Sequence, residues 1–377
     1  MINVLITGAN GFIGQNLQLH LSAREDIHLT KFTRHNAPNE LLSLLQNIDF
    51  VFHTAGVNRP QDTAEFASGN AGLTQSLCDA VAQVAIRTGR RVPVLFASSI
   101  QAERENPYGQ SKLAAEEALF ALGRQHGVPV HIFRLPNVFG KWARPNYNSA
   151  VATFCHNITR DLPIQINDPD AHITLVYIDD VIQHFIAAMD GKLNAGPYVS
   201  VHPQYSLSVG ELAAQLYMFR ESRQTLITEP VGTGLVRALH STYLSYLPPE
   251  QFAYEVPKHS DPRGMFVEML KTRDSGQFSF FTAHPGITRG GHYHHSKTEK
   301  FLVIKGKACF RFRHIVSGEF HQLFTTGDQP EIVETVPGWT HDITNVGQDE
   351  MIVMLWANEI FDREHPDTYT RQVGTAD

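Results

Sequence analysis

The 377-residue chain has little sulfur chemistry available: its three cysteines, Cys78, Cys155 and Cys309, stand far apart and form no CxxC pair. That scarcity excludes a disulfide framework and a thiolate zinc site, and it fits a reducing cytoplasm. A run of basic residues is also missing, and the formal net charge is -7 with histidine neutral. This argues against a nucleic-acid backbone or an anionic membrane as the main partner. No apolar stretch approaches the ~18 residues of a membrane span, and Met1 leads into Ile2-Asn3-Val4-Leu5-Ile6 without a basic leader, so no signal peptide is expected. What is abundant is histidine, at 20, of which nine fall between His259 and His365, so metal or proton chemistry is sought in the last third.

The length exceeds what one hydrophobic core usually reaches, so two unequal domains are expected. Up to about residue 245, apolar β-branched runs (Val4 to Thr7, Phe50 to Thr54, Val94 to Ser98, Val130 to Leu135) alternate with helical patterns such as Gly72 to Arg87 and Ser111 to Gln125. Strand and helix in alternation predict an α/β Rossmann-type, doubly wound parallel sheet over residues 1–245. Paired prolines in Leu247-Pro248-Pro249-Glu250, followed by Val256-Pro257-Lys258, read as a linker over 246–258. Short alternating runs punctuated by Gly and Pro then predict an all-β barrel over 259–377.

Thr7-Gly8-Ala9-Asn10-Gly11-Phe12-Ile13-Gly14 follows the first strand and opens a helix. Glycines there allow a tight turn and close approach of a pyrophosphate, which rests on the helix N-terminus. Tyr108 and Lys112 lie at i and i+4 on one helical face, where an ammonium can stabilise a phenolate. These motifs, TGxxGxxG and YxxxK, resemble those of the extended short-chain dehydrogenases/reductases. Asp49 to Gly56, Arg134 to Gly140 and Val176 to Val181 extend the match. The resemblance implies that Tyr108 exchanges the proton of the reacting oxygen, that Lys112 holds the nicotinamide ribose, and that Ser98 or Ser99, with Ser99 favoured, orients the carbonyl. It further implies cofactor contacts at Gly8, Asn10, Gly11, Phe12, Ile13, Gly14 and Ala55. After the second strand the chain reads Lys31-Phe32-Thr33-Arg34-His35, with a cation where relatives that prefer NAD carry an acid. NADP(H), with Arg34 on the 2′-phosphate, is therefore expected. Sugar-nucleotide dehydratases place an Asp-Glu pair directly after the serine; here Ile100 and Gln101 stand there, which disfavours dehydration.

In the last third, His292 and His294 at i and i+2 face the same side of a strand, Glu299 follows within reach, and His341 begins a later strand. Three imidazoles and a carboxylate suit Zn²⁺, with Fe²⁺ second; the alternative is a metal-free barrel whose histidines act as bases or pack. The segments Gly286 to Gly306 and Pro337 to Asn345 resemble both motifs of the cupins. Asp261 to Glu268 and Arg289 to Tyr293 resemble their dTDP-sugar 3,5-epimerase branch, in which the corresponding histidine is a base without metal.

A reductase followed by a cupin, over nearly the whole chain, resembles the bifunctional capsular-polysaccharide enzymes of UDP-N-acetyl-L-fucosamine synthesis. That resemblance implies a UDP-2-acetamido-2,6-dideoxy-4-ketohexose substrate, C3 epimerisation in the cupin, C4 reduction by NADPH to the L-talo sugar nucleotide, and a homodimer. Rival readings are a C4 epimerase whose barrel is a structural or dimerising module, and a cupin dioxygenase joined to a reductase.

Overall fold

The computed structural model describes all residues except 60–61, 63, 194–195, 197, 257, 262–263, 268–269, 273–275, 360–363 and 376–377. Pro262, Arg263 and Glu268 of the epimerase-like segment therefore lie outside the described residues. Two compact units emerge, and neither is continuous in sequence. One comprises Met1–Phe139, Tyr147–Ser149 and Ile173–Ser206; the other comprises Gly140–Asn146, Ala150–His172 and Leu207–Asp377.

The first unit is built on β1 (Ile2–Thr7), α1 (Phe12–Ser22), β2 (Ile27–Phe32), β3 (Phe50–His53), α2 (Leu73–Thr88), β4 (Val94–Ser99), α3 (Pro107–His126), β5 (Val130–Leu135), α4 (Ile178–Met189) and β6 (Tyr198–Val199). Its strands pair in parallel in the order β2-β1-β3-β4-β5-β6. Strands buried on both faces need helices on both faces. On one face Leu77 and Val81 of α2 and Ala115 and Leu119 of α3 pack on Val51, Phe96 and Ile132. On the other, Phe185 of α4 packs against Phe52 and Phe133. The order reverses between β1 and β3, so the crevice beyond their carboxyl ends is the place where such a sheet takes a ligand.

Among its described elements the second unit includes the helices α5 (Val209–Thr225) and α6 (Gly234–Leu244) and the barrel strands β7 (Ala253–Glu255), β8 (Gln277–Ala283), β9 (Thr288–Tyr293), β10 (Glu299–Lys305), β11 (Lys307–His314), β12 (Phe320–Thr326), β13 (Glu331–Glu334), β14 (Trp339–Asn345), β15 (Met351–Ala357) and the short β16 (Tyr369–Thr370). They form two five-stranded antiparallel sheets, β7-β13-β10-β15-β8 and β12-β11-β14-β9-β16. Phe301 of one sheet meets Phe310 of the other edge to face, with centroids 5.7 Å apart. β7 lies inside the segment read as a linker. Prolines that stop a helix are tolerated beside a short edge strand, and here the chain enters the barrel sheet directly. The helices of this unit are tied to the barrel by buried charge: Glu334 of β13 accepts from Lys300 (2.7 Å) and pairs with Arg223 of α5 (3.1 Å). Among the described residues no helix is long and apolar enough to cross a membrane.

Candidate active sites

Backbone sterics shape the first site. Gly8 has φ +69°, and a Cβ there would sit 2.6 Å from the backbone of Ala55. A Cβ on Gly14 would sit 2.3 Å from the Gly8 carbonyl oxygen. Only glycine lets β1, α1 and the residues after β3 approach this closely. Gly11 caps α1 with extended backbone and without a side-chain hydrogen bond, so the first-turn N–H groups of Phe12, Ile13 and Gly14 are directed out of the helix for an anion. The Gly8 N–H donates to the Phe32 carbonyl (2.9 Å), which brings the end of β2 to the loop; Arg34, two residues on, is exposed there.

Asn106 starts α3 by accepting from the Gly109 N–H (2.8 Å), with Pro107 in the first turn. Tyr108 is thereby fixed at the helix start, hydrogen-bonded to Ser99 at the end of β4 and in ring contact with Phe66 (5.7 Å). Burial holds the Tyr108 phenol above its ordinary pKa, and the Ser99 hydrogen bond only partly offsets that. Lys112 does not pull it down: its buried Nζ donates to the Ala97 carbonyl (3.0 Å), and burial lowers its own pKa to about 8. Ser98 donates to Glu116, which forms a fork with Arg134. Of the two serines, Ser99 stands with the tyrosine and Ser98 with a buried ion pair.

Asn70, which the sequence motifs did not single out, sits buried in a π-helical turn at Ala67–Gly72. It accepts from the Val57 N–H (2.8 Å) and donates to Ser111 (2.9 Å), and a Cβ on Gly56 would lie 3.0 Å from its Oδ1 and 3.2 Å from Lys112 Nζ. The π-turn is the signal, and it is visible only in three dimensions. His53 bridges Thr7 (2.6 Å) and Thr74 (2.8 Å), and burial lowers its pKa to about 3, so it is a neutral structural link.

In the barrel, His292 faces His341 across the β9/β14 ladder, where the register shifts at Gly290 (φ +102°) and Gly291 (φ +76°). That bulge, with His294 just past β9 and Glu299 at the start of β10, gathers one ligand atom from each of His292, His294, Glu299 and His341 within 4.8 Å of one another. Glu299 Oε2 lies 3.1 Å from His294 Nε2 and 3.5 Å from His341 Nε2, while Lys297 Nζ is 3.1 Å from Oε1. Burial, reinforced by the other two imidazoles, drives His292 down to about 3. Burial would also depress His294, but the Glu299 charge and hydrogen bond outweigh it and hold that imidazole above its usual value. For Glu299, burial opposes ionisation, yet His294 and His341 keep the carboxyl well below the usual range. Among the described residues, Nδ1 of His341 is buried without a hydrogen bond, and its Nε2 meets only Glu299, at 3.5 Å. Three imidazoles and one carboxylate gathered this way fit a divalent cation. His292, Glu299 and His341 border a cavity of about 280 Å³ walled by Phe280, Phe281, Phe301, Phe310 and Leu355, with Arg289 at its side.

Two family models match. Residues 4–199 fit the NAD dependent epimerase/dehydratase family, and residues 259–369 fit the polysaccharide biosynthesis C-terminal domain. The chain is 65% identical over 373 residues to a UDP-2-acetamido-2,6-beta-L-arabino-hexul-4-ose reductase of Pseudomonas aeruginosa, covering 99% of each chain. The crystal structure of the capsular polysaccharide assembling protein CapF from Staphylococcus aureus superposes with a TM-score of 0.67 at 41% identity, covering 99% of this chain and 100% of that one. A UDP-glucuronic acid 4-epimerase from Bacillus cereus, solved with NAD, shares the fold at 22% identity and a TM-score of 0.51, covering 59% of this chain and 85% of its own.

Proposed function

On the premise that the chain belongs to the NAD dependent epimerase/dehydratase family, we propose that it is a bifunctional sugar-nucleotide enzyme of capsule or O-antigen synthesis. The barrel epimerises C3 of a UDP-2-acetamido-2,6-dideoxy-4-ketohexose, and the Rossmann-type unit reduces its C4 ketone with NADPH to the L-talo sugar nucleotide. The observation that carries this reading is the 65% identity, over 99% of both chains, to a reductase of a UDP-2-acetamido-2,6-beta-L-arabino-hexul-4-ose. A cytoplasmic homodimer completes the reading.

When bound, the nicotinamide supplies the hydride that reduces C4. The ketone oxygen accepts a hydrogen bond from Ser99 and receives the Tyr108 proton. A phenol held above its ordinary pKa stays protonated at neutral pH, which is the form a reduction consumes. Arg34 pairs with the 2′-phosphate, the first turn of α1 holds the pyrophosphate, and Lys112 holds the ribose. Ile100 and Gln101 offer no acid or base for elimination. In the barrel, His292, His294, Glu299 and His341 would hold Zn²⁺, and the chemistry it would supply there is Lewis acidity toward the ketone, which acidifies the neighbouring C–H.

The assay is NADPH oxidation by purified variants. With an already epimerised ketone, Tyr108→Phe should fall by at least about 100-fold, whereas Glu299→Gln should retain the wild-type rate. With the unepimerised ketone both should fail. Wild-type NADPH oxidation by Tyr108→Phe would remove the reductase assignment.

A further inference from the structure

We propose that Asp367, far from the cupin-like motifs in sequence, is a positioning residue for the barrel site, holding the segment 294–299 that carries two of the four ligating side chains. The inference rests on the metal reading above. The backbone N–H groups of His295, Ser296 and Lys297 all point at the Asp367 carboxylate, at 2.8, 2.7 and 2.6 Å, and the Ser296 hydroxyl adds a bond of 3.0 Å. Three successive amides aimed at one anion make a nest, and here the anion is built into the chain. The carbonyl oxygen of the same residue takes a hydrogen bond from His294 Nδ1. A carbonyl can only accept, so Nδ1 carries a proton, and Nε2, which faces Glu299 at 3.1 Å, is the nitrogen left to offer its lone pair to a metal ion in place of that hydrogen bond. One residue thus sets both the course of the loop and the tautomer of a ligand, which is the work of an outer-sphere partner in a metal site.

Asp367 is itself held. β16 pairs with β9 opposite His292 and Tyr293, the Arg371 N–H donates to the Gly291 carbonyl (2.8 Å), and Arg313 donates to the Val373 carbonyl (2.7 Å). Arg237 of α6 donates to Ser296 and lies 3.9 Å from the Asp367 carboxylate. Without the carboxylate, three N–H groups in a buried loop lose their acceptor, and the loop must reorganise before His294 and Glu299 can meet one ion.

The test is the Zn²⁺ dissociation constant of the full-length protein, measured by competition with a chromogenic chelator. Asp367→Ala should weaken binding by about 10- to 100-fold, and Asp367→Asn, which keeps one acceptor oxygen, should recover part of the loss. Leu216→Ala, which removes a fully buried side chain from α5, should destabilise the protein while leaving zinc affinity within about twofold. Zinc affinity unchanged in Asp367→Ala, or weakened equally in Leu216→Ala, overturns the proposal. Should Asp367→Ala not fold, the Asn variant carries the same comparison. A wild-type protein that binds no zinc is a different result: it overturns the metal reading and this inference with it.

Discussion

Replacing Gly14 with alanine probes the cofactor loop by a single methyl. The added Cβ would meet three backbone atoms: the Gly8 carbonyl oxygen at 2.3 Å, and the Ala9 Cα and oxygen at 2.9 Å. Backbone cannot rotate away as a side chain can, so restoring van der Waals contact requires α1 to move out by about 1 Å. Alanine is favoured over glycine in a helix by up to ~1 kcal/mol, and overpacking costs about 1–3 kcal/mol, so global stability should fall by ~3 kcal/mol at most. Binding should suffer more, because a 1 Å misplacement of a positioning element costs on the order of 100-fold. Gly11→Ala is the internal control: its Cβ meets only the Gly8 oxygen, at 3.1 Å, and a shift of a few tenths of an ångström relieves it. We expect the NADPH dissociation constant, read from cofactor fluorescence, to rise about 100-fold for Gly14→Ala and less than about tenfold for Gly11→Ala. A folded Gly14→Ala protein that binds NADPH within threefold of wild type would refute the close-approach argument.

Other outcomes follow from the same geometry. Ser99→Ala should lower kcat of ketone reduction by about 10²–10³ with little change in KM. Ser98→Ala should instead act on stability through Glu116, and equal losses of kcat in the two variants would contradict the assignment. Lys112, lowered to about 8 by burial, loses its charge as pH rises through that value, so kcat/KM for NADPH should decline above pH 8 in the wild type. The Tyr108 phenol, shifted upward, should add no second decline below about pH 10. Glu334→Gln leaves Lys300 and Arg223 facing a neutral partner and should cost about 3–5 kcal/mol by urea denaturation. Glu334 is depressed to about 2 from an unfolded value of 4.5, so its contribution is complete above pH 4.5 and lost as pH falls through 2. The wild-type advantage over Glu334→Gln should therefore shrink across that window.

Spacing alone brought much of both sites into view, because each motif is local: the glycine loop is one strand-to-helix turn, Tyr108 and Lys112 share one helical face, and His292, His294 and Glu299 lie within one strand turn. What escaped depends on contacts that spacing does not encode. Asn70 sits in a π-turn that no residue pattern announces, and Asp367 is brought to its loop by long-range contacts such as the pairing of β16 with β9. The electrostatics of Tyr108 also went against the sequence expectation. The i, i+4 spacing suggests an ammonium beside a phenol, but the lysine side chain turns to the Ala97 carbonyl and burial decides the direction of the shift. β7 was hidden in a proline-rich segment for a simpler reason: an edge strand of three residues needs no alternating pattern.

The central claim is that one chain moves a proton and then a hydride on the same sugar. It is tested most directly by mass and NMR analysis of the product formed by wild-type protein from the 4-keto sugar nucleotide and unlabelled NADPH in D₂O. The account requires one deuterium at C3, a protium at C4 and one NADPH consumed per product. A C4-reduced product that carries no deuterium at C3 would contradict it.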